Sequence, residues 1–94
     1  MARQKAQSSV QVSNPRVLVT EWRFAPGAET GWHRHAHDYV VVPQTDGALL
    51  LETSEGDREA RLVSGQSYFR SSGVEHNVVN ASAHEIVFVE IEIM

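Results

Sequence analysis

No cysteine occurs among the 94 residues, so the chain has no disulfide framework and no thiolate metal site. Long apolar runs are missing too, and no stretch nears the roughly 20 residues that a membrane helix needs. A membrane is therefore set aside as a partner. Positive charge is scarce: eight Lys and Arg against twelve Asp and Glu leave a net charge of −4. Phosphate binding wants a basic face, so nucleic acid is set aside as well. The opening "MARQK" has two positive charges but no apolar run behind them, which does not make a signal peptide. The default is a soluble protein in the cytoplasm. Helical periodicity is absent beyond two turns, and no internal repeat or low-complexity segment is visible.

What is present reads as one small all-β domain. The core is small at this length, so the sheet gains from closing on itself or from dimerising. Residues 1–9, "MARQKAQSS", are polar and without period. They are expected to form a flexible N-terminal arm, either disordered or paired with a partner subunit, ahead of a barrel over residues 10–94. Strands are expected at 16–24, at 32–42 as one long strand or two joined ones, and at 48–54, 58–63, 67–70, 76–80 and 85–93. Pro43 cannot donate to a ladder, so it ends a strand or marks a bulge. In the last strand Val87, Val89, Ile91 and Ile93 share one face, and Phe88, Glu90 and Glu92 share the other. Short strands at intervals of about ten residues suggest a sandwich or barrel, and a double-sheet jelly roll protects the edges of a chain this short.

The chemistry concentrates in "GWHRHAHDYVVV", Gly31 to Val42. Residues 33, 35, 37 and 39 project to one side of a regular strand. Same-face neighbours lie about 7 Å apart along a strand, and metal–imidazole bonds are about 2.0–2.1 Å. Two imidazoles tilted together therefore meet one ion. His33 and His35 are the best pair, and a third ligand must come from another strand. His76, at the start of a later strand, is the natural candidate. Neutral imidazoles suit a divalent transition metal: Fe, Zn, Ni, Mn or Cu. An H-x-H pair alone is also compatible with a solvated edge, and His84 in its polar turn reads as a surface residue. Trp32 should face away from His33 and pack; Trp22 and Phe24 share a face that reads as core. Tyr68 and Arg70 share a face ahead of His76, where an arginine is able to clamp a carboxylate bidentately. They are the candidate substrate-binding pair.

The second stretch, "GQSYFRSSGVEHNVVN", turns spacing into a family resemblance. The chain resembles the cupin superfamily, whose two motifs it carries about thirty residues apart. In the first, Gly27 is followed by five residues and then His33-Arg34-His35. In the second, Gly65, Gly73, His76 and Asn80 fall in register, with Ser71 in place of a proline. The resemblance covers residues 16–94. It implies a double-stranded β-helix, the cupin jelly-roll barrel, with His33, His35 and His76 as metal ligands and His37 as a bystander. Two departures stand out. Tyr39 occupies the position of the family's glutamate, and the closing glycine, Gly47, comes one residue late.

Tyr39 has several readings: a hydroxyl bonded to a metal-bound water, which makes it the candidate catalytic residue; a gap that His37 rotates in to fill; a phenolate ligand; or packing. Asn80 is expected to fix backbone rather than touch the metal. The two stretches look most like small single-domain cupins named for β-alanine degradation. That implies a metal-binding cupin, dioxygenase-like, acting on a small carboxylate or ketone in β-alanine or related amino-acid catabolism. The alternatives are a non-catalytic small-molecule binding or sensing module with a three-histidine metal site, or a metal held for stability alone. The expected partners are a small-molecule ligand and a second copy of the chain, as a homodimer.

Overall fold

The computed structural model describes residues 3–94. Nine strands follow in order: β1 (Gln7–Ser13), β2 (Val17–Phe24), β3 (His33–Arg34), β4 (Asp38–Pro43), β5 (Gly47–Thr53), β6 (Gly56–Leu62), β7 (Tyr68–Arg70), β8 (Glu75–Asn80) and β9 (Ile86–Ile93). They form a five-stranded sheet, β1-β2-β9-β4-β7, and a four-stranded sheet, β3-β8-β5-β6. Every pairing between strands is antiparallel. This is the jelly-roll barrel, and β2 and β4–β9 lie where the alternating β-branched and aromatic residues put them. Among the described residues there is no helix, so none long and apolar enough to cross a membrane.

The core lies between the sheets. Phe24, Tyr39, Val41, Leu49, Leu62, Val78, Ile86 and Phe88 bury together. Trp22 packs at the edge of this cluster, and Phe24 meets Phe88 with ring centroids 5.5 Å apart. The late Gly47 has a packing reason. A Cβ there would come within 2.8 Å of Ile86 Cδ1 and 2.9 Å of Ser82 Oγ, so only glycine lets β5 start against that side chain.

Of the two readings of 32–42, the structure has two short strands, because the chain bends at Ala36 and His37. The bend removes His37 from the row of His33 and His35. Trp32 does face away from His33, but it is 53% exposed and donates its indole N–H to Glu75 Oε1 at 2.7 Å instead of packing.

The N-terminal arm changes too, as far as it is described: Met1 and Ala2 lie outside the described residues. From Gln7 the chain forms β1 and pairs with its own β2 through a hairpin, in which Asn14 Oδ1 accepts from the backbone N–H of Arg16 and Val17. Ahead of it, Ala6 donates to the carbonyl of Glu29 at 2.8 Å, and Glu29 donates back to Gln4 at 2.9 Å. The Arg3 guanidinium bridges Glu29 at 3.2 Å and Glu52 at 2.9 Å. Charge and ladder bonds hold Arg3 to Ser9 to the body, which a reading of polarity alone does not anticipate.

Candidate metal centre

β3 and β8 create the site. Their antiparallel register sets His33 opposite His76, so the two side chains leave the same face as cross-strand neighbours. His35 follows two residues on. Its backbone is pinned outside the regular strand: His35 donates to Val74 O, and Gly73 donates to His35 O, both at 2.8 Å. Gly73 makes that close return at φ +94°, a conformation that a side chain resists. Asp38 Oδ1 fixes the same turn by accepting from the backbone N–H of Ser72.

The three rings meet edge to edge. His33 Nε2 lies 3.1 Å from His35 Nε2, which lies 3.3 Å from His76 Nε2. Donor atoms holding one ion with bonds of about 2.0–2.1 Å are spaced in this way. Protonation agrees. His33 Nδ1 is 2.8 Å from the carbonyl of Gly31, which can only accept, so the proton sits on Nδ1 and Nε2 presents a lone pair to the centre. Burial pushes the pKa of His35 down to about 4, helped by nearby His33. Burial likewise pushes His76 down to about 4, with His33, His35 and Arg70 adding to it. Buried neutral imidazoles aimed at one point are a donor set for a cation, and His33, His35 and His76 fit a divalent transition metal.

The supports of His33 were not legible in the motif. Thr30 Oγ1 lies 3.2 Å from its Nδ1 and accepts from the Val78 N–H. Asn77 Oδ1 accepts from the Gly31 N–H at 2.9 Å, while its Nδ2 donates to Glu29 and Glu52, both at 2.8 Å. Arg3 bridges the same two carboxylates, so the N-terminal segment and the turn before His33 form one hydrogen-bonded unit. Outer partners of this kind fix the orientation of a ligating ring.

Tyr39 is buried with its ring stacked on His35, centroids 3.9 Å apart and planes 19° from parallel. The contact holds the His35 ring in its plane. Burial raises the pKa of the Tyr39 hydroxyl, opposite to what phenolate ligation requires. His37 is not one of the three converging histidines.

The triad opens on a cavity of about 970 Å³ that Tyr39, Tyr68 and Arg70 also line. Tyr68 and Arg70 face Val41 and Tyr39 across β4, and the Arg70 guanidinium stands 4.5 Å over the Tyr68 ring. Three more lining residues come from β9. Phe88, Glu90 and Glu92 turn out to form the inner face of that strand, with Glu90 only 8% exposed, while Ile93 points outward at 46%. Burial, then contact with Glu92, raises the pKa of Glu90. The signal for this orientation was Phe88, the largest side chain on the acidic face.

A jelly roll with inward histidines from two facing motifs defines a class. Residues 20–92 match the family described as "Cupin domain", and the chain belongs to it. Over 91 residues it is 75% identical to the "Beta-alanine degradation protein BauB" of Pseudomonas aeruginosa, across 97% of this chain and 96% of that protein. The crystal structure of a cupin domain from Bordetella pertussis superimposes with a TM-score of 0.98 at 63% identity, covering 100% of this chain and 98% of that one. A predicted oxalate decarboxylase from Thermotoga maritima shares the fold alone, with a TM-score of 0.73 at 18% identity over 95% of this chain and 80% of that one.

Proposed function

We propose that this protein is a metal-dependent, dioxygenase-like cupin enzyme that holds iron(II) and acts on a small carboxylate or ketone in the catabolism of β-alanine or a related amino acid. The supporting observation is the convergence of three imidazole Nε2 atoms, two of them from buried rings that burial keeps neutral, at 3.1 and 3.3 Å on the wall of a cavity. Iron(II) held by neutral ligands alone would keep its double charge and supply a Lewis-acid, oxygen-activating centre. His33, His35 and His76 are its ligands. Tyr39 keeps His35 in plane and is the candidate catalytic group beside it. Arg70 and Tyr68 bind and orient the substrate's carboxylate from the cavity wall. The high identity to a protein named for β-alanine degradation supports the pathway setting. The reading places the protein in the cytoplasm, where iron stays reduced.

Oxygen uptake tests it. Reconstituted with iron(II) and given small diketones, β-amino acids and semialdehydes, the wild type consumes oxygen with at least one of them, and His33→Ala does not. Saturable binding without turnover across several metals would replace the enzyme by a binding module.

We also propose a homodimer formed through the outer face of the five-stranded sheet. The registers line up Phe69, Val40, Ile91, Val19 and Val12 in one row across all five strands. Phe69, at its end, is 51% exposed. A sheet facing water usually carries polar residues there, and a second copy with the same row is self-complementary about a two-fold axis. Size-exclusion chromatography with light scattering should give about twice the chain mass for the wild type and the chain mass for Ile91→Lys. A monomeric wild type would reject the dimer.

A further inference from the structure

The turn ahead of His33 is gripped from outside the barrel. His76 and Asn77 are neighbours on β8, so their side chains leave opposite faces of the sheet. His76 joins the triad, while Asn77 lies opposite Glu52 of β5 on the other face. Asn77 is nevertheless only 7% exposed, because the turn at Glu29 and Gly31 lies over it. Its Oδ1 accepts from Gly31, and its Nδ2 spends both hydrogens on Glu29 and Glu52. Residues 29 and 30 run between β8 and the N-terminal segment. On one side the Thr30 N–H donates to Val78 O at 2.9 Å. On the other, Glu29 is laddered to Gln4 and Ala6, and Lys5 Nζ donates to Thr30 O at 3.2 Å. Arg3 closes this grip. Its two Nη atoms fork onto the two Glu52 oxygens at 2.9 and 3.2 Å, and Nη1 also reaches Glu29. An isolated exposed ion pair contributes little, but a forked guanidinium in a network is the exception. The inner end of this chain of bonds is the Gly31 carbonyl, 2.8 Å from His33 Nδ1. Gly31 stands at φ +92° with no side chain to hold it, so its bond to Asn77 anchors it.

We propose that Asn77 and Arg3 are positioning residues for the candidate metal centre: residues 3–6 act as a clamp that, through Asn77 and Gly31, holds His33 with its proton on Nδ1 and its Nε2 lone pair toward His35 and His76. The inference rests on the metal-centre reading for its effect on metal affinity, whereas the hold on the His33 ring stands apart from it. Neither residue reaches the centre. Without Asn77, the Gly31 N–H loses its acceptor and the carbonyl is free to leave His33. The ring then shares its proton between Nδ1 and Nε2, and a protonated Nε2 offers no lone pair to an ion. Arg3 acts one step further out. It keeps the two like-charged carboxylates together, which lets one amide bond both at once.

Two measurements on Arg3→Gln, Asn77→Ala and the double variant test this. The first is nitrogen NMR of the histidine rings in the metal-free protein, which reads where the His33 proton sits. The second is competition for cobalt(II) against a chromophoric chelator. The wild type should hold the His33 proton on Nδ1. Asn77→Ala should show both tautomers and lose at least about tenfold in cobalt(II) affinity, the lower end of what an outer partner supplies. Arg3→Gln should shift both readouts the same way, with a loss of about threefold, the size expected of an exposed pair in a network. The double variant should bind no more weakly than Asn77→Ala, because Arg3 acts through Asn77. An unchanged His33 ring and unchanged affinity in folded Asn77→Ala overturn the clamp, since the network would then serve the scaffold alone. Losses that add in the double variant overturn the route through Asn77. If Asn77→Ala does not fold, the exposed Arg3→Gln decides by itself, and wild-type values in it reject the proposal. If the wild type takes up no cobalt(II), the metal-centre reading fails, and the clamp still stands or falls on the His33 tautomer.

Discussion

His76→Ala should lower the affinity for a divalent transition metal by at least about 100-fold while leaving the barrel folded. Loss of a mere outer-sphere partner of a ligating histidine costs about 10- to 100-fold, and on the proposed reading His76 supplies a donor atom itself. The triad draws its atoms from two chain segments: His33 and His35 from the first, His76 from β8. The remaining pair lies 3.1 Å apart and still chelates, so weak residual binding is expected. Competition for iron(II) or cobalt(II) against a chromophoric chelator reads the change directly. Cobalt(II) also reports coordination through its visible bands, which should shift in the variant and be matched in His33→Ala. The truncation removes a buried ring that packs against both His33 and His35, so a modest loss of thermal stability accompanies it. If the folded variant binds metal as tightly as the wild type, His76 is not a ligand, and the centre must be sought at His35, Glu90 and Glu92.

The three converging histidines were legible in the chain because period two is local information. An H-x-H pair fixes a face, and a second motif with its own internal spacing supplies the distant partner. The register that sets His33 opposite His76 then follows from the barrel. Long-range electrostatics were not legible. Nothing in "MARQK" says that Arg3 meets Glu29 and Glu52, since those acids come together only when the turn before His33 packs beside β5. Nor does alternation in "EIVFVEIEI" say which face turns inward, because one face is wholly apolar and the other contains Phe88 with two acids. The rule that apolar faces are buried favours the wrong one. The barrel inverts it here: the apolar face lies on the outside of the sheet, and the acids look into the cavity. Tyr39 shows the same boundary. Its position relative to His35 was fixed by the motif, whereas its stacking contact depends on the bend at Ala36 and His37, which strand periodicity does not reveal.

Asn80→Ala should destabilise the protein by roughly 3 kcal/mol or more and leave metal affinity unchanged in the fraction that folds. Asn80 is 2% exposed. Its Nδ2 donates to the carbonyls of His84 at 2.8 Å, Phe24 at 3.2 Å and Ala25 at 3.3 Å, and its Oδ1 accepts from the Ser82 N–H at 2.8 Å. One amide thus joins the end of β2, the turn before β9 and the end of β8. Removing it strands several buried backbone groups at about 1–3 kcal/mol each. In a chain this small, roughly 3 kcal/mol corresponds to a fall in melting temperature of about 12–24 °C. Asn80→Asp separates geometry from hydrogen bonding. It keeps the shape and the acceptor for Ser82, but replaces the donor with a carboxylate facing three carbonyls. It should therefore be no more stable than the alanine variant. A melting temperature within about 3 °C of wild type in Asn80→Ala would remove Asn80 from the scaffold. A selective loss of metal with normal melting would move it into the site, although its amide is fully engaged by backbone at the end of β8 opposite His76.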